Sequence, residues 1–178
     1  MTENSNLKQL LEETWAKRGD EKYEDARNLV KEAHRLCKEN DFNSLGRIFH
    51  VYMQFESDHD NYSKAIELSQ RSLSYYKRAN NLDRIAHSTR HIADLQYQLG
   101  KDAESEQNYR VAISIYRENP NTGIGNLANA LRGFGLLLEK REKIKEAIDI
   151  WNETKVLYAS INLQDGVAEA NEKLNTLL

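Results

Sequence analysis

One proline, one cysteine and eight glycines are all that this chain of 178 residues holds of the residues that interrupt helices or staple chains together. Proline and glycine break helices, so their scarcity points to a mostly helical protein. Cys37 has no partner in the sequence, which excludes an internal disulfide and fits a reducing compartment. Lys and Arg number 25 against 28 Asp and Glu, a net charge of −3, so no basic excess awaits phosphates and nucleic acid is not an expected partner. No apolar run approaches the roughly twenty residues that span a bilayer. The start, Met1-Thr-Glu-Asn-Ser-Asn-Leu-Lys, shows neither an apolar signal core nor an arginine-rich transit pattern. The expectation is a soluble, cytoplasmic protein with no membrane partner. Also missing are a glycine-rich phosphate loop, a His-Glu-x-x-His pair and paired cysteines, so no catalytic residue and no cofactor is expected.

What the chain does have is repetition. Tyr23-Glu-Asp-Ala26, Tyr62-Ser-Lys-Ala65, Asp102-Ala-Glu-Ser105 and Ile144-Lys-Glu-Ala147 each end on a small residue. Another small or short residue follows each at seven positions: Ala33, Ser72, Ala112 and Thr154. The period is close to forty residues, the mark of stacked supersecondary units that cannot bury their apolar faces singly. Helical spacing of apolar residues marks nine segments, beginning near Asn6, Glu21, Asp41, Tyr62, Asn81, Asp102, Gly125, Ile144 and Gln164. Gly19 reads as a helix stop with Asp20 capping the next segment, and Pro120 within Asn119–Gly123 is the strongest break. Gly123 and Gly125 read as a flexible helix entry. No stretch alternates with a period of two, so no strand is expected.

These residues resemble the tetratricopeptide repeat (TPR) family, in which a helix A and a helix B cross at small residues. Leu131, Phe134, Gly135 and Leu138 match the helix-A pattern, followed by Ala147, Trp151 and Thr154 in helix B. Ile92, Ala93 and Gly100 with Ser105, Tyr109 and Ala112 give another unit, and Leu11, Trp15 and Gly19 open the first. Units near forty rather than thirty-four residues resemble the long-helix subgroup of kinesin light chains, spindle-orientation adaptors and bacterial Rap-type peptide sensors. The resemblance implies an all-α fold: a right-handed superhelical array of antiparallel helix pairs, a TPR-like α-solenoid. It would form a single domain with units near 4–40, 41–80, 81–119 and 121–161 and a capping helix at 163–178. Tyr75, Tyr76 and Trp151 would pack between repeats. In the cap, Val167, Ala168, Leu174 and Leu177 would face inward, with Glu169, Glu172 and Lys173 outward.

In such an array the A helices line a concave groove, which would carry His50, His87, Arg90, His91, Asp94, Tyr97, Asn129 and Arg132. Arginine can fork onto a carboxylate and asparagine can hold a peptide backbone by donor and acceptor together. The implied role is a non-catalytic adaptor or scaffold for a protein or peptide segment, acidic or bearing a free carboxylate. A peptide-sensing regulatory module and a structural self-association module are the alternatives, and a monomer or weak homodimer is expected. His87 and His91, four apart, share a helix face and could chelate a metal with His50 or Asp94, but no resident metal is expected. Asp58-His59-Asp60 reads as a solvated turn. Cys37 sits beside Lys38 and His34, basic neighbours of the kind that lower a thiol's pKa, though a small, partly buried apolar role is the simpler reading.

Overall fold

The computed structural model describes residues 3–178, with side chains from Asn6 onward. Among them stand nine helices and no strand: α1 (Glu3–Gly19), α2 (Tyr23–Leu36), α3 (Phe42–Ser57), α4 (Tyr62–Arg78), α5 (Leu82–Gln98), α6 (Asp102–Glu118), α7 (Ile124–Lys140), α8 (Ile144–Ser160) and α9 (Gln164–Leu177). Within each unit, links of three to five residues make successive helices antiparallel neighbours. They gather into two compact units, one ending at Asn81 with α1–α4 and one from Leu82 to Leu178 with α5–α9. In the first, Leu7 and Leu11 of α1 close over Val30, Ile48, Val51 and Phe55. In the second, Tyr109, Ile113, Leu131, Phe134, Trp151 and Leu174 form one continuous core.

The periodic small residues lie where helices cross. Ala26, Ala33, Ala65, Ser72, Ser105, Ala112, Ala147 and Thr154 are all fully buried. Where the chain has a hydroxyl in place of alanine, a backbone carbonyl satisfies it. Ser72 Oγ donates to Gly46 O at 2.8 Å across the α3–α4 pair, and Ser105 Oγ donates to Ala93 O at 2.8 Å across α5–α6. Glycines on the A helices serve the same closeness. A Cβ at Gly46 would lie 2.5 Å from the Tyr76 ring, and one at Gly135 2.9 Å from the Trp151 ring. Tyr76 and Trp151, expected between repeats, thus press on glycines of their own helix pairs, and Tyr75 stacks on Phe49 of its own pair.

Six of the eight turns share one design. The residue at the turn has a positive φ in Glu21, Asp60, Asn80, Gly100, Glu142 and Asn162. The next amide reaches back five residues, as in Lys22 N–H to Lys17 O and Lys143 N–H to Leu138 O, both 2.9 Å. This is the glycine-type helix ending, which satisfies carbonyls the helix leaves open. Helix α1 ends at Gly19, the stop the sequence shows, while the left-handed position falls to Glu21 and the N-cap of α2 to Lys22 rather than Asp20. Asp41 does cap, accepting Ser44 N–H at 3.0 Å.

The last helix follows the expectation in part: Leu174 is buried and Leu177 packs on the core. Gly166, Ala170 and Leu174 are its buried line, while Ala168 is exposed. A Cβ at Gly166 would meet the Tyr158 ring at 2.6 Å, so the helix approaches through its smallest residue. Glu169 and Lys173 are not outward solvated charges: they pair with Arg132 and Glu139 of α7.

Candidate functional site

Within the second unit, α5 and α7 flank a cavity of about 340 Å³. Five of the residues expected to form a groove line it together: Arg90, Asp94 and Tyr97 from α5, Asn129 and Arg132 from α7. Positions 90, 94 and 97 recur at three- and four-residue spacing, which places them on one helix face. Tyr109 of α6 and Gly133 and Leu136 of α7 complete the walls. Gly133 matters because a Cβ there would sit 2.5 Å from the Tyr109 hydroxyl, closing the cavity from behind.

The polar groups are already linked. Arg90 Nη1 donates to Asp94 Oδ2 at 2.9 Å, and Tyr109 Oη donates to Asp94 Oδ1 at 2.6 Å. Arg90 Nη2 lies 2.8 Å from His91 Nε2, and the His91 ring stands edge-on to His87 at 4.6 Å. Arg132 forks onto Glu169 through Nε at 2.5 Å and Nη2 at 2.6 Å. Tyr158 Oη donates to Asn129 Oδ1 at 2.8 Å. The two arginines are therefore not open forks. Arg90 is only 18% exposed along its side chain and Arg132 43%.

The charge balance shows in the protonation of these groups. Desolvation by the surrounding walls pushes the Asp94 carboxyl above its ordinary value, against the opposing pull of Arg90, the Tyr109 hydroxyl and Arg132. Asp94 keeps 31% of its side chain exposed through the cavity mouth, so water still reaches one edge of a carboxylate packed on its other sides. Burial, followed by the charge of Asp94, drives the Tyr109 phenol far above its usual range and keeps it a donor. The Glu169 carboxylate, through its hydrogen bonds, raises Arg132 further and fixes its charge.

The remaining expected residues fall elsewhere. His87 and His91 lie on α5 but do not line the cavity. His50 belongs to the first unit, where it is buried at 8% exposure with its ring 5.8 Å from Trp15. The Asp58-His59-Asp60 turn is engaged by its neighbours: Arg18 forks onto Asp58 at 2.6 and 2.7 Å, and His59 Nδ1 meets Phe55 O at 2.7 Å. Cys37 departs from the reactive reading. Burial, then the charge of Asp41, pushes its thiol up to about 11, the opposite of activation. Sequence reasoning missed Tyr109, Gly133 and Glu169. In the sequence Tyr109 shows only as part of a repeat pattern, and only the cavity shows that its hydroxyl also forms the floor.

No family model matches the sequence, and no curated protein does. Solved structures do share its fold. The apo form of RapI matches with a TM-score of 0.84 at 14% identity, over 96% of this chain and 62% of RapI. The chain thus spans less than two thirds of that protein. BtubC (BKLC) from P. vanneervenii matches at 0.73 and 16% identity, over 93% of this chain and 74% of the other. A kinesin light chain of P. anserina with nearly identical TPR-like repeats matches at 0.67 and 11%, over 99% and 97%. At these identities the likeness is one of fold: the chain is an all-α, TPR-like helical-repeat array. No helix among the described residues is long and apolar enough to cross a membrane.

Proposed function

We propose that this array is a non-catalytic scaffold, working as a monomer or weak homodimer, that holds an extended segment of another protein in the α5–α7 groove. The observation that carries the reading is Asn129. Its carbonyl is fixed by the Tyr158 hydroxyl at 2.8 Å, while among the described residues its exposed amide nitrogen has no protein partner. An amide held this way offers two donors at a set angle, the complement of a peptide carbonyl. Tyr97 and Leu136 supply apolar contact beside it, and the linked Arg90, Asp94 and Tyr109 form a floor that needs no rearrangement on binding. Among the described residues Arg132 Nη1 has no protein partner, which supports a preference for an acidic or carboxylate-bearing segment. Repeat arrays bind along such extended faces.

The test is a peptide selected from a displayed library of linear sequences, titrated by calorimetry against the parent and Asn129→Ala. Losing one hydrogen bond costs about 0.5–1.5 kcal/mol, so binding should weaken roughly twofold to twelvefold. Equal affinity for both proteins would remove the groove from the account.

A regulatory reading has its own support. Arg132 of the groove is also the anchor of α9 through Glu169, so a ligand carboxylate that takes Arg132 would loosen the last helix. This is the behaviour of a peptide sensor, the role of the Rap-type regulators the repeats resemble. Hydrogen exchange of α9 that accelerates on peptide binding supports it, and unchanged exchange leaves only the scaffold.

A further inference from the structure

Among the described arginines without a carboxylate partner, two in the first unit sit closest to aromatic rings, Arg27 lying farther, at 4.9 Å, over Phe55. Arg18, Arg35, Arg90, Arg110, Arg117, Arg132 and Arg141 each lie within salt-bridge distance of a carboxylate. Among the described residues Arg71 and Arg78 have no such partner, although both are exposed. Each instead sits over an aromatic ring. Arg78 Cζ is 3.9 Å from the centre of Phe42, and Arg71 Cζ is 4.0 Å from the centre of Phe49. Phe42 and Phe49 are seven positions apart on α3, as Arg71 and Arg78 are on α4, so antiparallel packing makes two identical rungs. Tyr75 stacks on Phe49 between them, centroids 5.4 Å apart, and the His34 ring meets the same phenylalanine edge-on at 5.3 Å.

Stacking on a ring fixes the plane of a guanidinium and uses its face, while its N–H edges stay available. Those edges match the geometry of an oxyanion. Beside the rungs opens a cavity of about 520 Å³, with His34, Leu45, Tyr75 and Arg78 in its walls and exposed Glu39 as its one carboxylate. In the cavity wall Arg78 is balanced by Glu39, and Arg71 on the neighbouring rung adds one positive charge in a chain whose net charge is −3. His34 registers it: burial first, then the charge of Arg71, holds its imidazole below the usual value.

We propose that this face of the α3–α4 hairpin docks an acidic segment of a partner protein, with two carboxylates received by Arg71 and Arg78. Seven helical residues rise about 10 Å, which three residues of a polyproline II segment cover at about 3.1 Å each, its three-residue turn bringing the side chain at i+3 back to the same side. The fitting pattern is Glu-x-x-Glu, with an apolar side chain between the acids to enter the cavity beside Tyr75 and Leu45. The face belongs to a different unit from the α5–α7 groove, so it stands whether or not that groove binds a peptide.

The test uses a blocked synthetic peptide, acetylated and amidated, with the pattern Glu-Leu-Ala-Glu, and its Gln-Leu-Ala-Gln analogue. Both are titrated at low ionic strength by NMR, following amide shifts and the His34 ring proton. The acidic peptide should bind and shift the α3–α4 amides, and should raise the His34 pKa by neutralising Arg71. The glutamine analogue, and the exposed-site variants Arg71→Gln and Arg78→Gln, should each bind at least about tenfold more weakly. Asn129→Ala should bind as the parent does. The proposal is overturned if the glutamine variants keep full affinity, if the analogue binds equally, if Asn129→Ala abolishes binding, or if anionic vesicles bind and the peptide does not.

Discussion

Replacing Glu106 with glutamine removes one charge and keeps the shape, and the effect should be large. Glu106 lies on α6 with 11% of its side chain exposed, and three cations converge on it. Lys143 Nζ donates to both carboxylate oxygens at 2.7 and 2.8 Å, Arg110 reaches Oε1 at 2.8 Å, and Arg141 closes on Oε2. Lys143 and Arg141 sit at the α7–α8 turn, so this one carboxylate ties consecutive repeats together. Burial alone would raise its pKa, but the bonds from Lys143 and Arg110 together outweigh it and hold the group below the usual glutamate value. Charge-assisted bonds contribute about 1.5–3 kcal/mol each when buried. The cations here are 31–47% exposed, so screening leaves a total of about 2–3 kcal/mol. At about 2–4 °C per kcal/mol for a chain of this size, Glu106→Gln should melt about 4–12 °C lower at neutral pH. The sign follows from the depressed pKa. The stabilisation is complete above the unfolded value near 4.3 and disappears as pH falls through the lower folded value. Melts followed by circular dichroism at pH 7 and pH 3 should show a gap that closes in acid. Identical melts at pH 7, or a gap that persists undiminished at pH 3, would refute the reasoning.

Ala147→Leu puts a large side chain at a fully buried crossing of α7 and α8 and should cost about 1–3 kcal/mol, read by denaturant unfolding. Glu142→Gly relieves a left-handed residue at the α7–α8 turn; relief of about 1–2 kcal/mol against a glycine entropy cost of roughly 0.5–1 predicts a stabilisation of about 0.5–1 kcal/mol in the same assay. Cys37, with its thiol pushed up to about 11, should react slowly with iodoacetamide at pH 7.5 and speed up about tenfold per pH unit until near that value, as followed by mass spectrometry.

The repeat was legible because helix crossing is a steric rule: close approach demands a small residue at one point on each pair, and sequence records it every forty positions. That rule located Ala26, Ala65, Ser105 and Ala147 without knowledge of the neighbours. The turns were less legible, since only Gly100 among six left-handed positions is a glycine. Glu21 and Glu142 carry no signal of their own; they take that conformation because packed helices on either side fix the turn. Ion pairing was the least legible. Helical periodicity assigns Glu169 and Lys173 to the solvent side of α9, and only the way Gly166 lets that helix settle on Tyr158 brings them to Arg132 and Glu139. The same limit governed the arginines. That Arg71 and Arg78 lie over phenylalanines depends on the register of α3 against α4, between residues 22 and 36 positions apart.

The central claim, a peptide held between α5 and α7, is tested most directly by mapping where a selected peptide protects the backbone. Residue-resolved NMR of the chain with and without saturating peptide should show the largest shifts at Arg90, Asp94 and Tyr97 on α5 and at Asn129, Arg132 and Leu136 on α7. Shifts confined to the α6 and α8 faces around Ile113 and Ile150, with α5 and α7 unmoved, would contradict it.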